Sequence, residues 1–105
     1  MSDIALVYAT FPDRDTAGNV AETIVGERLA ACANMLADCT SVFHWDGKVA
    51  RESETPVLFK TAIALTTPLR DRIAALHPYD LAVIEAWPAS VSDAVFAWVA
   101  AETEG

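Results

Sequence analysis

The sequence predicts one α+β domain, in which an antiparallel β-sheet carries two helices on one face and a short helix follows at the C-terminus. Three observations lead to this fold. An Asp46-Gly47 pair separates two long runs of strand-forming residues, two stretches have apolar residues at helical spacing, and two more apolar runs lie nearer the chain ends. We expect residues 1–105 to form a single domain, because a chain of this length encloses one core.

Residues 4–10 are the first predicted strand. The run is almost entirely apolar, which is typical of a central strand that is covered on both faces. Residues 13–16 (Asp-Arg-Asp-Thr) then offer capping oxygens and first-turn acids for a helix. Apolar residues recur at helical spacing behind them, and we expect this helix to reach about Ala30.

A hairpin around Asp46-Gly47 follows, with predicted strands over residues 40–45 and 55–63. A type I′ turn needs positive φ at both central residues, and Asp-Gly is a preferred pair for it. Pro56 has no amide donor, so the second strand is either unpaired there or begins its regular pairing after it. We expect the hairpin tip to lie in water, because four charged residues follow the turn: Lys48, Arg51, Glu52 and Glu54.

Thr67-Pro68 predicts the start of the second helix, with threonine at the cap and proline at the first helical position. His77-Pro78 ends it, because a residue before proline avoids helical angles. Residues 81–87 form the last predicted strand, which Pro88 stops, and Ser92-Asp93 caps the final helix. The order β-α-β-β-α-β is the ferredoxin-like arrangement, with two helices on one face of an antiparallel sheet.

Both faces of this sheet are predicted to be apolar. Alternate strand residues fall into two sets, Val7, Ala9, Ala62 and Ala64 on one side and Leu6, Tyr8, Phe59 and Ile63 on the other. Two helices cover only one face, so a monomer would expose a wide apolar surface, which usually marks an interface. We therefore predict a homo-oligomer.

The composition excludes several classes of function. A formal net charge of −8 disfavours nucleic acid and anionic membrane surfaces as partners. The charge suits metal ions, although solubility explains it equally well. No run of 18 apolar residues and no basic N-terminal region is present, so we expect a cytoplasmic protein. We find no nucleophile beside a base and no phosphate-binding loop, and we predict that the protein is not an enzyme.

Four segments, in order, resemble those of the CutA divalent-cation tolerance family: residues 27–34 (ERLAACAN), 45–48 (WDGK) followed by Glu52 and Glu54, 58–61 (LFKT) and 77–80 (HPYD). The likeness extends from about Ile4 to Val99. It implies a ferredoxin-like subunit in a tight homotrimer, with strands of neighbouring subunits paired edge to edge. This assembly is similar to that of the PII signalling proteins, which bind ligands in clefts between subunits. The family is associated with tolerance to copper and other divalent ions, and no organic cofactor is implied.

Two residues are candidate metal ligands. Cys32 matches the cysteine of the family's Ala-Ala-Cys segment, and a thiolate suits Cu(I), or Zn(II) when other ligands join it. The alternative for Cys32 is a small buried hydrophobic residue at a helix end. His77 is either a metal ligand or pocket donor, or a turn residue at the end of a helix. Cys39 lies at no zinc-binding spacing from Cys32, and we expect both thiols to be free.

Four residues are candidates for a ligand cleft between subunits. The resemblance places Trp45, Lys60 and Tyr79 near that cleft, and Glu85 supplies a carboxylate. The family commonly has Pro and then Glu at positions 82 and 83; here Glu85, two residues further, lies on the same strand face. Lys60 and Glu85 each stand among apolar residues, so we expect them either to pair, fixing the register of a trimer, or to face a small anionic or zwitterionic ligand.

Two functions follow from these predictions. The first is a trimeric protein of divalent metal tolerance that binds copper or another divalent ion without catalysis. The alternative is a PII-like sensor or adaptor, which binds a small molecule between subunits and signals to a protein partner.

Overall fold

The computed structural model describes residues 2–104 and confirms the α+β class. Its elements are, in order, β1 (Ser2–Phe11), α1 (Arg14–Gly26), β2 (Cys32–Met35), β3 (Cys39–Trp45), β4 (Lys48–Thr61), α2 (Thr66–Leu76), β5 (Ile84–Val91) and α3 (Asp93–Glu102). A 3-10 turn, Ile63–Leu65, precedes α2. Within residues 2–104, no helix is both long enough and apolar enough to span a membrane.

The sheet has the order β2-β4-β1-β5, and every pair in it is antiparallel. β1 and β2 flank β4 and are therefore parallel to each other; β4 and β5 flank β1 in the same way. α1 connects the first of these parallel pairs and α2 the second. Two interlocked β-α-β units, each split by one strand, are the ferredoxin-like arrangement. The central position predicted for the first strand is confirmed.

β4 has two parts, which pair with different strands. Residues 55–61 pair with β1 inside the sheet, whereas residues 48–54 pair with β3 alone and form a hairpin arm. Asp46 has φ 52° and Gly47 φ 74° at the tip, as the predicted type I′ turn requires. Pro56 lies within the continuous strand, opposite Thr10 of β1. The separate strand Cys32–Met35 was not predicted, since it is only 4 residues long and is specified by its pairing with β4.

α1 and α2 cover one face of the sheet and form the core with it. Phe59 lies opposite Val7 in the β1–β4 register, and both are fully buried beneath the helices. The prediction that grouped Phe59 with Leu6 and Tyr8 was therefore wrong: the register places Leu58 with Tyr8 and turns Phe59 to the helices. The core cluster consists of Val7, Ala9, Phe11, Ala17, Val20, Ala21, Ile24, Ala30, Val57, Phe59, Leu69 and Ile73.

α1 begins where predicted but ends earlier. Asp13 is its N-cap and accepts a hydrogen bond from the Thr16 amide at 2.8 Å. The helix stops at Gly26 rather than near Ala30, because Arg28 adopts a left-handed conformation with φ 61°. The Arg28 and Leu29 amides then bond to carbonyls of the last turn, which is a Schellman ending with arginine in place of glycine.

Two prolines lie at positions that the sequence analysis did not expect. α2 begins at Thr66, so Pro68 is its third residue rather than its first; the missing amide is still harmless in the first turn. β5 runs from Ile84 to Val91, so Pro88 lies inside the strand that it was predicted to stop. β5 pairs only with β1 among the described strands, and an edge strand tolerates proline.

α3 has the predicted cap and position. The Ser92 side chain accepts a hydrogen bond from the Val95 amide at 3.3 Å. α3 contacts β1 and β4, and Val99 is buried, yet Val95, Phe96 and Trp98 stay at least 40% exposed. A helix that is apolar on all sides normally lies inside a protein, so α3 has the composition of a helix that another molecule covers.

Candidate functional site

The face of the sheet opposite α1 and α2, which we call the open face, carries most of the predicted site residues. Directly opposite residues of an antiparallel pair share a face. The registers form one row of Cys32, Lys60, Leu6 and Trp87 and a second row of Asn34, Leu58, Tyr8 and Glu85. All eight residues are partly or largely exposed in one subunit. The open face is thus an apolar surface that includes a thiol, an ammonium group and a carboxylate.

Lys60 and Glu85 share this face but do not pair. β1 lies between their strands, with Lys60 opposite Leu6 and Glu85 opposite Tyr8. Two strand spacings alone separate them by roughly 10 Å. No ion pair within residues 2–104 includes either residue, so the predicted pairing does not occur within one subunit. Lys60 consequently presents its charge on a largely apolar surface.

Trp45 lies at the tip of the hairpin arm, opposite Lys48, and is 67% exposed. Lys60 lies 12 positions after Lys48 along β4, a separation on the order of 40 Å in extended conformation. Trp45 and Lys60 of one chain therefore cannot line the same cleft. The arm of another copy would be needed to bring Trp45 to Lys60.

The two cysteines have different neighbours. Cys32 is half-buried and lies opposite Lys60, so the nearest cross-strand group is a cation, which does not assist the binding of a metal ion. Cys39 lies opposite Glu54, with its Sγ 3.8 Å from the Ser41 hydroxyl oxygen. The two thiols are not joined in a disulfide.

His77 is buried at the end of α2, and both of its ring nitrogens are engaged. Nε2 lies 2.7 Å from the carbonyl oxygen of Thr10, and Nδ1 lies 3.1 Å from the amide nitrogen of Tyr79. The imidazole also stacks on the Phe11 ring, with centroids 4.7 Å apart. In this conformation His77 offers no free lone pair to a metal, and the fold does not bring it together with Cys32.

Tyr79 forms a polar contact that was not predicted from the sequence. Its hydroxyl donates a hydrogen bond to the Glu54 carboxylate at 3.3 Å. Glu54 was predicted to stand in water near the hairpin tip, but it is only 8% exposed. The signal in the sequence is its position directly before the buried residues 55–57: Glu54 belongs to the sheet end of β4 rather than to the tip.

Both tyrosines have phenols that are harder to ionise than usual. Burial raises the pKa of Tyr79 above its ordinary value of 10.0, and the nearby Glu54 carboxylate raises it further. Burial also raises the pKa of Tyr8, with smaller contributions from the negative charges of Cys39, Glu85 and Glu54. The end of the open face near Tyr8 is therefore an acidic environment.

The candidate metal ligands do not converge within residues 2–104. In the part of the chain that the structure describes, no group of three or more His, Cys, Asp or Glu side chains is arranged to hold an ion. The candidate ligands are instead spread over the open face and the end of α2. Residues of one subunit alone thus do not fit a bound metal ion.

Comparisons with known proteins agree on one family. The model of the CutA1 divalent ion tolerance protein family matches residues 5–102. The divalent-cation tolerance protein CutA of Pyrococcus horikoshii is 38% identical over 100 residues, which cover 94% of this chain and 97% of that protein. Human protein CutA is 32% identical over 96% of this chain. The chain spans only about half the length of the human and Arabidopsis relatives, 57% and 52%.

Solved structures show the same fold. CutA from Xylella fastidiosa superposes with a TM-score of 0.93 at 34% identity and covers 98% of this chain and 100% of its own. CutA1 from Ehrlichia chaffeensis superposes with a TM-score of 0.92 at 30% identity and covers 99% of this chain and 98% of its own. A CutA from Archaeoglobus fulgidus, described as periplasmic, has a TM-score of 0.91 at 27% identity, with coverage of 98% and 100%.

Proposed function

Because this chain belongs to the CutA1 divalent ion tolerance protein family, we propose that it acts in divalent-cation tolerance as a homotrimer without catalytic activity. We propose further that the trimer binds copper or another divalent ion at sites that neighbouring subunits complete. The relatives from Pyrococcus horikoshii and Thermus thermophilus are named divalent-cation tolerance proteins, and the proposal extends that function to this chain.

The open face is the observation that supports the proposed homotrimer. Leu6, Tyr8 and Leu58 lie side by side on it, and Trp87 is 43% exposed next to Leu6. Exposed apolar surface of this extent is typical of an interface. Further copies of the chain would cover this surface together with the apolar outer side of α3.

The metal proposal depends on the same assembly. One subunit lacks three convergent ligands among its described residues, so a site must combine groups from several copies. Cys32 is the candidate that favours copper, because a thiolate is a soft ligand suited to Cu(I). Around a symmetry axis each subunit would contribute an identical group, which is how one cysteine per chain could form a site.

Native mass spectrometry with and without a slight excess of copper tests this proposal. We expect a trimer that gains whole copper ions per trimer, and we expect Cys32→Ser to abolish the gain while Cys39→Ser, the matched control, retains it. A monomer would contradict the assembly. A trimer that gains no copper, or equal loss of copper in both variants, would contradict a site at Cys32.

A second candidate function is a PII-like sensor, and Lys60 is the observation that favours it. Its ammonium group lies on the open face without an ion-pair partner among the described residues, and an unpaired cation on an apolar surface suits an anionic or zwitterionic ligand. A protein partner would then recognise the ligand-bound form. The chain has only two lysines, so Lys48→Met at the hairpin tip is a matched control for Lys60→Met.

A thermal-shift screen against nucleotides and common anionic metabolites tests the sensor. We expect at least one compound to raise the melting temperature of the wild type and of Lys48→Met but not of Lys60→Met. Equal shifts in all three proteins would contradict a role for Lys60. No shift across the panel would count against the sensor function itself.

A further inference from the structure

The segment between α2 and β5 holds Tyr79 without helix or strand. Residues 77–83 run as bends and coil from the end of α2 to the start of β5. The hydrogen bond from the Tyr79 amide to the His77 ring is the contact that fixes the Tyr79 main chain within this described segment. The position of the Tyr79 main chain is therefore coupled to the state of one imidazole.

The contacts of His77 determine which tautomer it adopts. Nδ1 faces an amide N–H, which can only donate, so Nδ1 must carry the lone pair. Nε2 faces the Thr10 carbonyl oxygen, which can only accept, so Nε2 must carry the hydrogen. In the opposite tautomer, the Nδ1 hydrogen would face the hydrogen of the Tyr79 amide, and the Nε2 lone pair would face the lone pairs of the Thr10 carbonyl oxygen. Only the neutral Nε2–H form satisfies both contacts.

The ring of His77 also supports the ring of Tyr79. The two ring centroids are 4.8 Å apart with an interplanar angle of 52°, while Phe11 stacks on the imidazole. His77 itself is only 8% exposed. Held at its amide and along its ring, Tyr79 directs its hydroxyl to the buried carboxylate of Glu54.

We propose that His77 is a positioning residue, which in its neutral Nε2–H tautomer fixes Tyr79 so that the phenol donates to Glu54. Through Tyr79, it would set one wall of the candidate cleft while not contacting a ligand itself. The assignment of that wall to a ligand cleft rests on the proposed sensor function, whereas the positioning is a property of the free protein. The two are therefore tested separately.

Nitrogen-15 NMR of the imidazoles tests the tautomer in the wild-type protein at neutral pH. The chain has only two histidines, and His44 on the exposed arm provides the solvent-exposed reference. We expect His77 to be protonated at Nε2 alone, while His44 shows the averaged signals of an exposed ring. Protonation of His77 at Nδ1, or averaged signals like those of His44, would overturn the proposal without reference to any ligand.

Two variants test the positioning itself. His77→Asn keeps an acceptor for the Tyr79 amide, since an asparagine side chain bonds the amide two residues on; His77→Leu fills space but accepts nothing. We expect Tyr79 amide exchange to be at least tenfold faster in His77→Leu and close to the wild-type rate in His77→Asn. Equal exchange rates in wild type and His77→Leu would overturn the proposal.

Carbon-13 NMR of labelled tyrosines gives a second readout that simple loss of stability does not move. The chain has two tyrosines, so Tyr8 is an internal control. In His77→Leu we expect the ionisation of Tyr79 to shift towards that of a free phenol while that of Tyr8 is unchanged, and we expect His77→Asn to restore the wild-type titration. A Tyr79 titration that is unchanged in His77→Leu, or changes in both tyrosines together, would contradict positioning by His77. If His77→Leu does not fold, the tautomer measurement and the asparagine variant still decide.

Discussion

Phe59 and Leu58 are neighbours on β4 and belong to opposite faces of the same sheet. Phe59 points to α1 and α2 and is fully buried, whereas Leu58 lies on the open face and stays partly exposed beside Tyr8. Both are large apolar side chains of one strand. The difference between them is whether the chain itself provides a cover.

The two faces of the sheet therefore differ in role: the covered face stabilises the folded chain, and the open face is the candidate for contact with other molecules. The covered face obtains its closure from two helices of the same chain, so its side chains are apolar and its polar groups are satisfied locally. The open face is nearly as apolar, yet it also holds Lys60 and Glu85 without a partner in the subunit. An exposed apolar surface of this kind is typical of an interaction site.

Truncation of the two neighbours gives the largest expected contrast. Phe59→Ala should lower the free energy of unfolding by about 3–5 kcal/mol, because it leaves a cavity in a closed core. Leu58→Ala should cost less in an isolated subunit, because the side chain is already in contact with solvent. Urea denaturation at several protein concentrations measures both.

The concentration dependence separates the two faces. The loss in Phe59→Ala should appear at every protein concentration. The loss in Leu58→Ala should be largest at high protein concentration, where a second copy covers the side chain, and should shrink towards the single-chain value as the protein is diluted, because mass action couples association to stability. Losses of equal size that do not depend on concentration would mean that no second copy covers the open face.

A charge on the open face is expected to dissociate the assembly. Trp87 lies at the β5 end of the row that includes Leu6, and Trp87→Asp would place a carboxylate in an apolar contact, which is costly to bury. We expect a trimer to become a monomer in sedimentation velocity at micromolar concentration. Val25→Asp, at an exposed apolar position on α1, is the matched control and should leave the trimer intact. Dissociation in both variants would argue against a specific role of the open face.

The sequence predicted the covered face better than the open one, and the reason is physical. The first strand, the Asp46-Gly47 turn and the caps at Asp13 and Ser92 follow from local patterns and are confirmed. Local pattern does not determine register, however, and the wrong grouping of Phe59 follows from that. The burial of Glu54 was missed for a related reason, since it depends on where β4 leaves the sheet.

The prolines show a second limit of local reasoning. Pro88 lacks the amide donor that a regular strand uses, but β5 is an edge strand of the described sheet, and edge strands tolerate proline. Whether a strand lies at an edge is a property of the whole topology. For the site, the sequence identified Lys60, Tyr79 and His77 as unusual residues but not the contact between Tyr79 and Glu54, which are 25 positions apart.

Thr61 and Lys60 extend the comparison of the covered and open faces to polar side chains. Thr61 faces the covered side, is fully buried and donates a hydrogen bond to the Leu29 carbonyl at 2.8 Å. Thr61→Val preserves the shape and should cost about 1–3 kcal/mol, because it removes the donor from a partly buried acceptor. Lys60→Met should leave subunit stability unchanged or slightly higher. Urea denaturation of the two variants measures both effects. If Lys60→Met lowers the free energy of unfolding as much as Thr61→Val does, Lys60 has a partner in the assembly.

The smallest expected effect is a dependence of stability on alkaline pH. Burial raises the pKa of both Tyr8 and Tyr79 above 10.0 in the folded state. A raised pKa means that the folded protein holds the phenolic proton more tightly than the unfolded chain. This contribution to stability is therefore present below pH 10 and is lost as the pH rises through the folded pKa. Urea midpoints measured from pH 8 upward should fall above pH 10.

The two tyrosines connect this last effect to the two faces. Tyr8 lies on the open face, so a second copy that covers it should raise its pKa more than the single subunit does. In the Tyr79→Phe background, which isolates the Tyr8 signal, we expect the ultraviolet titration of Tyr8 to move to lower pH as the protein is diluted from trimer to monomer. Dilution adds no charge, whereas the new carboxylate of Trp87→Asp would itself raise the Tyr8 pKa. A Tyr8 titration that is identical in trimer and monomer would show that the partner does not reach the middle of the open face, and that the interface is confined to β5 and α3.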